Sequence, residues 1–145
     1  MQAAEQSSTA LDYAGFWLRV IAGLIDLLIV FLVSIMIIMP LKQHMGELEF
    51  YLFSGGFELL STWIYFAVFE SSGKQASFGK QAVGLRVVSV EGDRITFLRA
   101  TGRYFSKILS GVILGIGFLM AAFTPKRQAL HDLIANTAVI RIELE

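Results

Sequence analysis

Two ionised side chains stand inside a run of lipid-like residues. In "GFWLRVIAGLIDLLIVFLVSIMIIMP", residues 15–40, Arg19 and Asp26 are seven positions apart. A 3.6-residue period puts them on one helix face, with backbones about 10 Å apart along the axis. They share a stripe, yet each needs a further partner. Arg19 lies one turn in, where a long side chain can snorkel to headgroups. Asp26 lies about 15 Å deep, beyond the reach of so short a side chain. A lone aspartate there costs about 2.5–3.5 kcal/mol on insertion scales. Such an acid must pair, line water or hold a proton, which is the chemistry of binding a monovalent cation. Glu58, Glu70, Arg103 and Asp132 are the candidate partners.

The other polar residues are less pointed. Glu58 follows Ser54-Gly55-Gly56; a helix from Tyr51 buries it, whereas one starting after the glycines leaves it interfacial. Glu70 ends an apolar run and reads as a solvated boundary acid. Arg103, with Arg99 and Lys107 at i±4, forms a basic face suited to phosphate headgroups. His131-Asp132 invites a metal reading. The chain has two histidines and no cysteine, and metal sites need three or four convergent ligands, so a structural clamp is the better reading. "SGKQASFGKQ" fails as a nucleotide loop, because Gln81 rather than a hydroxyl residue follows Lys80. Lys80, Arg86 and His131 are instead candidates for holding a small-molecule effector that gates the protein. No spacing supports a hydrolase, so no enzyme, metal or cofactor is expected.

The elements that must position these residues follow from patterning. Hydrophobic residues make up 55% of the chain and charged ones 17%, against about 25% charged in soluble domains. An α-helical integral membrane protein is implied, with the lipid bilayer as its main partner. Residues 1–15 form a tail without the basic start of a signal peptide. Residues 16–39 and 51–70 are each about the 20 residues that a bilayer core requires. Residues 83–98 read as a β-hairpin turning at Gly92-Asp93. Residues 99–123 form a third membrane segment, broken near Gly115-Ile116-Gly117. Gly111 and Gly115 also form a G-x-x-x-G, open to close helix approach or to a hinge. Residues 124–145 hold a short helix and a strand in which Ala138, Ile140, Ile142 and Leu144 alternate with Val139, Arg141 and Glu143. That strand and the hairpin are expected to build a three-stranded sheet. Zero net charge removes any general case for nucleic acid.

Charge also orients the chain. Lys74, Lys80, Arg86, Arg94, Arg99 and Arg103 crowd the long loop, whereas the first connection holds only Lys42. Positive residues stay inside, so the long loop and the N-terminus are expected in the cytoplasm. A re-entrant third segment keeps Lys126, Arg127 and the last strand there too. Non-helical backbone at that depth is tolerated where protein or water surrounds it.

Together these residues resemble the RDD family of small bacterial integral membrane proteins. Arg19, Asp26 and Asp132 match its three signature positions. "FGKQAVGLRVVSVEG" is similar to its segment between the second and third apolar stretches, and "PKRQALHDLIANT" to its C-terminal signature, with Asn136 where glycine is usual. The resemblance implies a small multi-pass protein of the bacterial inner membrane, in a family described as transporting unidentified ligands and with some members associated with sodium permeation or sodium–proton exchange. The expectation is a homo-oligomer that transports or conducts monovalent cations, sodium foremost, coupled to protons or gated by a ligand. About three segments are too few to enclose a polar path, so subunits share one. Asp26 would bind the cation and Arg19 would hold Asp132 at the cytoplasmic mouth. The alternative is an assembly module whose intramembrane charges only hold helices together.

Overall fold

The computed structural model describes residues 11–113 and 115–142. Most of the expected tail, and Leu144 of the strand alternation, lie outside the described residues. Helix α1 spans Phe16–Ile38. Pro40 falls in the first turn of the 3-10 helix Met39–His44 that follows, where its missing N–H costs no bond. Helix α2 spans Glu47–Ser71. It begins upstream of the glycine pair, because Glu49 accepts the Gly46 N–H at 3.2 Å and two acids in the first turn suit the helix dipole. Both helices are long and apolar enough to cross a bilayer. Along α1 the buried residues are Ala22, Asp26, Val30, Ser34 and Ile38. These five residues, four positions apart, form the helix's inward face, and Leu24, Leu27, Leu28 and Leu32 are exposed.

Helix α3 (Phe78–Ala82) and strand β1 (Leu85–Ser89) come next. Helix α4 spans Phe97–Val112, α5 spans Ile116–Leu119, α6 spans Leu130–Ala135, and strand β2 spans Thr137–Arg141. The sheet has two strands, not three. β1 pairs antiparallel with β2, with Val87 opposite Val139, and Tyr13 adds a single bridge to Ile140. The expected hairpin over 83–98 is corrected on its second arm. Its turn does form, with Gly92 at φ +95 and the Ser89 N–H donating to the Asp93 carbonyl at 2.8 Å. Residues 94–98 then leave the sheet. Ile95 enters the core, and Thr96 Oγ1 accepts the Arg99 N–H at 3.2 Å. That bond is an N-cap, so helix nucleation takes the residues that β-branching had assigned to a strand.

The third segment is broken where the glycines predicted. α4 and α5 meet at 115°, and Gly115 sits at φ +76, a left-handed conformation open chiefly to glycine. A Cβ on Gly117 would lie 2.7 Å from Ser110 Oγ, so α5 folds closely back onto α4. The chain then returns to the end it came from. The Ala14 N–H donates to the Val139 carbonyl at 2.8 Å, which gathers the start of α1, β1 and β2 in one place. Ala14, Ala22, Ala67, Leu85, Val87, Ile95, Ala100 and Val139 form the core there, with Trp63 packed against it.

Candidate functional site

Asp26, on the inward face of α1, is fully buried. Its Oδ1 accepts the Tyr65 hydroxyl at 2.7 Å and the Gly79 N–H at 2.7 Å. Its Oδ2 accepts the Ser77 hydroxyl at 2.6 Å. The first turn of α3 therefore rests on this carboxylate, a favoured place for negative charge. Glycine is required at 79 because a Cβ there would stand 2.1 Å from the Ala22 carbonyl oxygen and 2.8 Å from Asp26 Cγ. The acid is held by neutral donors rather than by a cation.

Ser77 passes the connection on. Lys80 Nζ lies 3.3 Å from Ser77 Oγ and donates to Glu70 Oε1 at 2.8 Å. Glu70, expected to be solvated, is buried. The reason is its company: Arg103 Nη1 donates to its Oε2 at 2.6 Å and Lys107 Nζ lies 3.5 Å from its Oε1. Arg103 then spans to Asp132, donating to Oδ1 from Nε at 2.9 Å and from Nη2 at 2.7 Å. Asp132 Oδ2 takes a bond from Arg19 and another from the Ala129 N–H at 3.1 Å. The network leaves α1 at Asp26, crosses α3, α2, α4 and α6, and returns to α1 at Arg19. Each of these two α1 charges thus finds its own partner, as their separation demands.

α6 lies outside the long apolar helices, and its two titratable groups are strongly displaced. Burial pushes the Asp132 carboxyl up, but Arg103, His131 and Arg19 outweigh it and hold the group far below the usual carboxylate range. Burial, reinforced by Arg103 and Lys107 against Asp132, drives the His131 ring down to about 3. His131 is therefore neutral at ordinary pH, with Nε2 3.6 Å from Asp132 Oδ1.

A cavity of about 280 Å³ opens beside this network. Arg19, Lys80, Arg103, Lys107 and His131 line it, against apolar walls from α1 and α5. Four cations here face two carboxylates, Glu70 and Asp132. Buried Arg19 Nη2 and His131 Nδ1 have no hydrogen-bond partner among the described residues. Of the predicted residues, the structure brings Arg19, Arg103, Asp132, Lys80 and His131 together and ties Asp26 to them through Ser77. Glu58 is elsewhere. It lies in the interior of α2, in a separate cleft of about 370 Å³ that it shares with Ser34 of α1 and with Ser54. Arg86 is on β1 and does not line the basic cavity. The basic face divides: Arg99 is exposed, whereas Arg103 is buried.

Tyr65, Ser77 and Gly79 escaped the sequence reading. One signal was available, since a buried acid needs donors and "SFG" ahead of a short helix offers a hydroxyl and an accessible N–H. Among the described residues no group of three histidine, cysteine, aspartate or glutamate side chains stands ready for a metal.

Fold and site define a class: a mostly helical chain with two bilayer-length apolar helices and a buried ring of charges at one end. Residues 13–136 match the RDD family model, and the chain belongs to the RDD family. It is similar to the uncharacterized protein YxaI of Bacillus subtilis (strain 168), 34% identical over 146 residues, covering 88% of this chain and 96% of that protein. It is also similar to the uncharacterized membrane protein YteJ of the same organism, 33% identical over 144 residues, covering 91% of this chain and 83% of that one. No solved structure matches the chain. The apolar helices and a relative described as a membrane protein together support a membrane location.

Proposed function

We propose that the chain is one subunit of a homo-oligomer that passes monovalent cations across the bacterial inner membrane under control of an anionic ligand. The observation that carries this reading is a pair of sites of opposite sign along α1. The basic cavity adjoins residues 16–27, and the acidic cleft with Glu58 adjoins residues 31–39. Carboxylate and hydroxyl oxygens such as those of Glu58, Ser34 and Ser54 are the hard donors that suit sodium. The cationic cavity suits an anion. Glu58, which joins no ion pair among the described residues, is the better acid for a passing cation than Asp26, whose oxygens already accept three bonds. In this reading Asp26 and the ring lock the subunit, and the basic residues and N-terminus face the cytoplasm as positive charge prefers.

Sodium flux into vesicles containing the purified protein, measured at two pH values, tests the proposal. Wild type should conduct and Glu58→Gln should not, with the oligomer intact in both. A second reading, a module that only assembles helices, is favoured by the saturation of Asp26. Wild-type vesicles that pass no sodium under any condition would leave that second reading standing alone.

A further inference from the structure

The basic cavity has features that define its occupant more narrowly than charge alone. Its polar end combines cations in excess of carboxylates with two unsatisfied buried atoms, Arg19 Nη2 and His131 Nδ1. Arg19 offers a donor. His131 offers the opposite. Its Nε2 faces the Asp132 carboxylate at 3.6 Å, which favours the proton on Nε2 and leaves Nδ1 as an acceptor. Lys107 is the least committed cation, 3.5 Å from Glu70 and only partly buried. The complementary group is therefore an anion that carries a hydroxyl beside its charge.

The other end of the cavity is hydrocarbon in character. Val20, Gly23, Leu24 and Leu27 of α1 form one wall, and Phe118 and Ala121 form the facing one. The α1 wall extends from Phe16 to Leu27, about 16 Å of helix rise. Leu24 and Leu27 are more than half exposed, at 61% and 58%, so the cavity is open on the flank that would meet acyl chains. A small soluble anion would leave this wall uncovered.

Resting on the ligand-controlled reading above, the geometry points to a membrane phospholipid with a polyol phosphodiester headgroup, of the phosphatidylglycerol kind, as the occupant. Its phosphate sits between Arg19 and Lys107, a headgroup hydroxyl donates to His131 Nδ1, and one acyl chain lies along Val20, Leu24 and Leu27. Such a site couples lipid identity to the ring, because Arg19 serves both.

The test is the thermal unfolding of purified full-length protein in neutral detergent, with lipid retention followed by native mass spectrometry. Phosphatidylglycerol, phosphatidylcholine and soluble glycerol phosphate are the three probes. Phosphatidylglycerol should be retained and should raise the unfolding temperature, while the other two should do neither. An equal response to phosphatidylcholine, or a full response to glycerol phosphate, overturns the assignment. A Cβ at Gly23 meets nothing within 4 Å, so Gly23→Phe should fill the apolar wall and abolish the response without disturbing the ring. Lys107→Gln should weaken retention about tenfold, as the loss of one charge-assisted bond does. Undiminished retention in both variants refutes the site. Lipid retention without sodium flux in wild type would remove the cation reading and leave this site in place.

Discussion

The two halves of α1 are held by different physics. From Arg19 to Asp26 the helix is bound through ion pairs and hydrogen bonds to α3 and α6, and glycine lets α3 press onto its backbone. From Phe31 to Ile38 it borders α2 across an open cleft. In lipid there is no hydrophobic drive to close such a cleft, since acyl chains are as apolar as the side chains they replace. The ring end therefore carries the polar bonds that set the relative placement of the helices, and the cleft end carries none of them. The buried charges tie one half of α1 to its neighbours, and the other half meets α2 across the cleft.

Arg103 offers the most direct way to break this contrast. It bonds both Glu70 and Asp132, so Arg103→Ala leaves two buried carboxylates short of a partner. Removing one member of a buried pair costs about 3–5 kcal/mol. The variant should lose its cooperative thermal transition in detergent, while Arg99→Ala, one turn earlier and exposed, should unfold as wild type does. Gly79→Ala tests the same end sterically. Its Cβ would fall 2.1 Å from the Ala22 carbonyl oxygen, and overpacking of this kind costs about 1–3 kcal/mol. Asp26→Asn should cost about 1–3 kcal/mol, because an amide nitrogen would meet donors where a carboxylate oxygen accepted them. A stable, fully folded Asp26→Asn protein would contradict the scaffold role.

How far the sequence disclosed this arrangement depends on the range of each interaction. Local signals were legible: the apolar run of α1, the break at Gly115, and the wish of Arg19 and Asp26 for partners. The second hairpin arm was misread because Ile95, Thr96 and Phe97 have the β-branched and aromatic character of a strand, while the deciding feature, Thr96 as a cap, is a single residue. Glu70 was misread because its position at a helix end looks wet in one dimension. Only the long-range approach of Arg103 and two lysines makes it dry. Glu58 stayed undecided until Gly46 and Glu49 showed where α2 begins. The partners of Asp26 lie 39 to 53 residues away, and no periodicity reports such a pairing.

Acidification probes the ring at its edge. The unfolded chain protonates His131 near its ordinary value of 6.5, whereas the folded chain does so only near 3. Between those values the unfolded state holds the extra proton, so stability falls as pH falls through the window. The slope is at most about 1.4 kcal/mol per pH unit. Asp132, depressed in the fold, adds a loss in the same direction that sets in as the pH enters the ordinary carboxylate range, where the unfolded chain begins to take up that proton. Unfolding temperatures measured from pH 7 to pH 5, above the range where the carboxylates contribute, should decline in wild type and stay nearly level in His131→Gln.

The smallest structural effect is expected at Glu58, and its smallness is the point. Its carboxylate joins none of the ion pairs among the described residues, so Glu58→Gln removes charge without orphaning a partner. Stability should change by no more than about 0.5 kcal/mol, as at positions free of buried networks. Sodium flux should nonetheless disappear, because a neutral amide no longer offsets the dehydration of a cation entering the cleft. Ser34→Ala, which removes one hydroxyl from the same cleft, should lower flux while leaving unfolding unchanged. If Glu58→Gln instead unfolds like Arg103→Ala, the acid belongs to the scaffold and the division of α1 into a fixed half and a working half is lost.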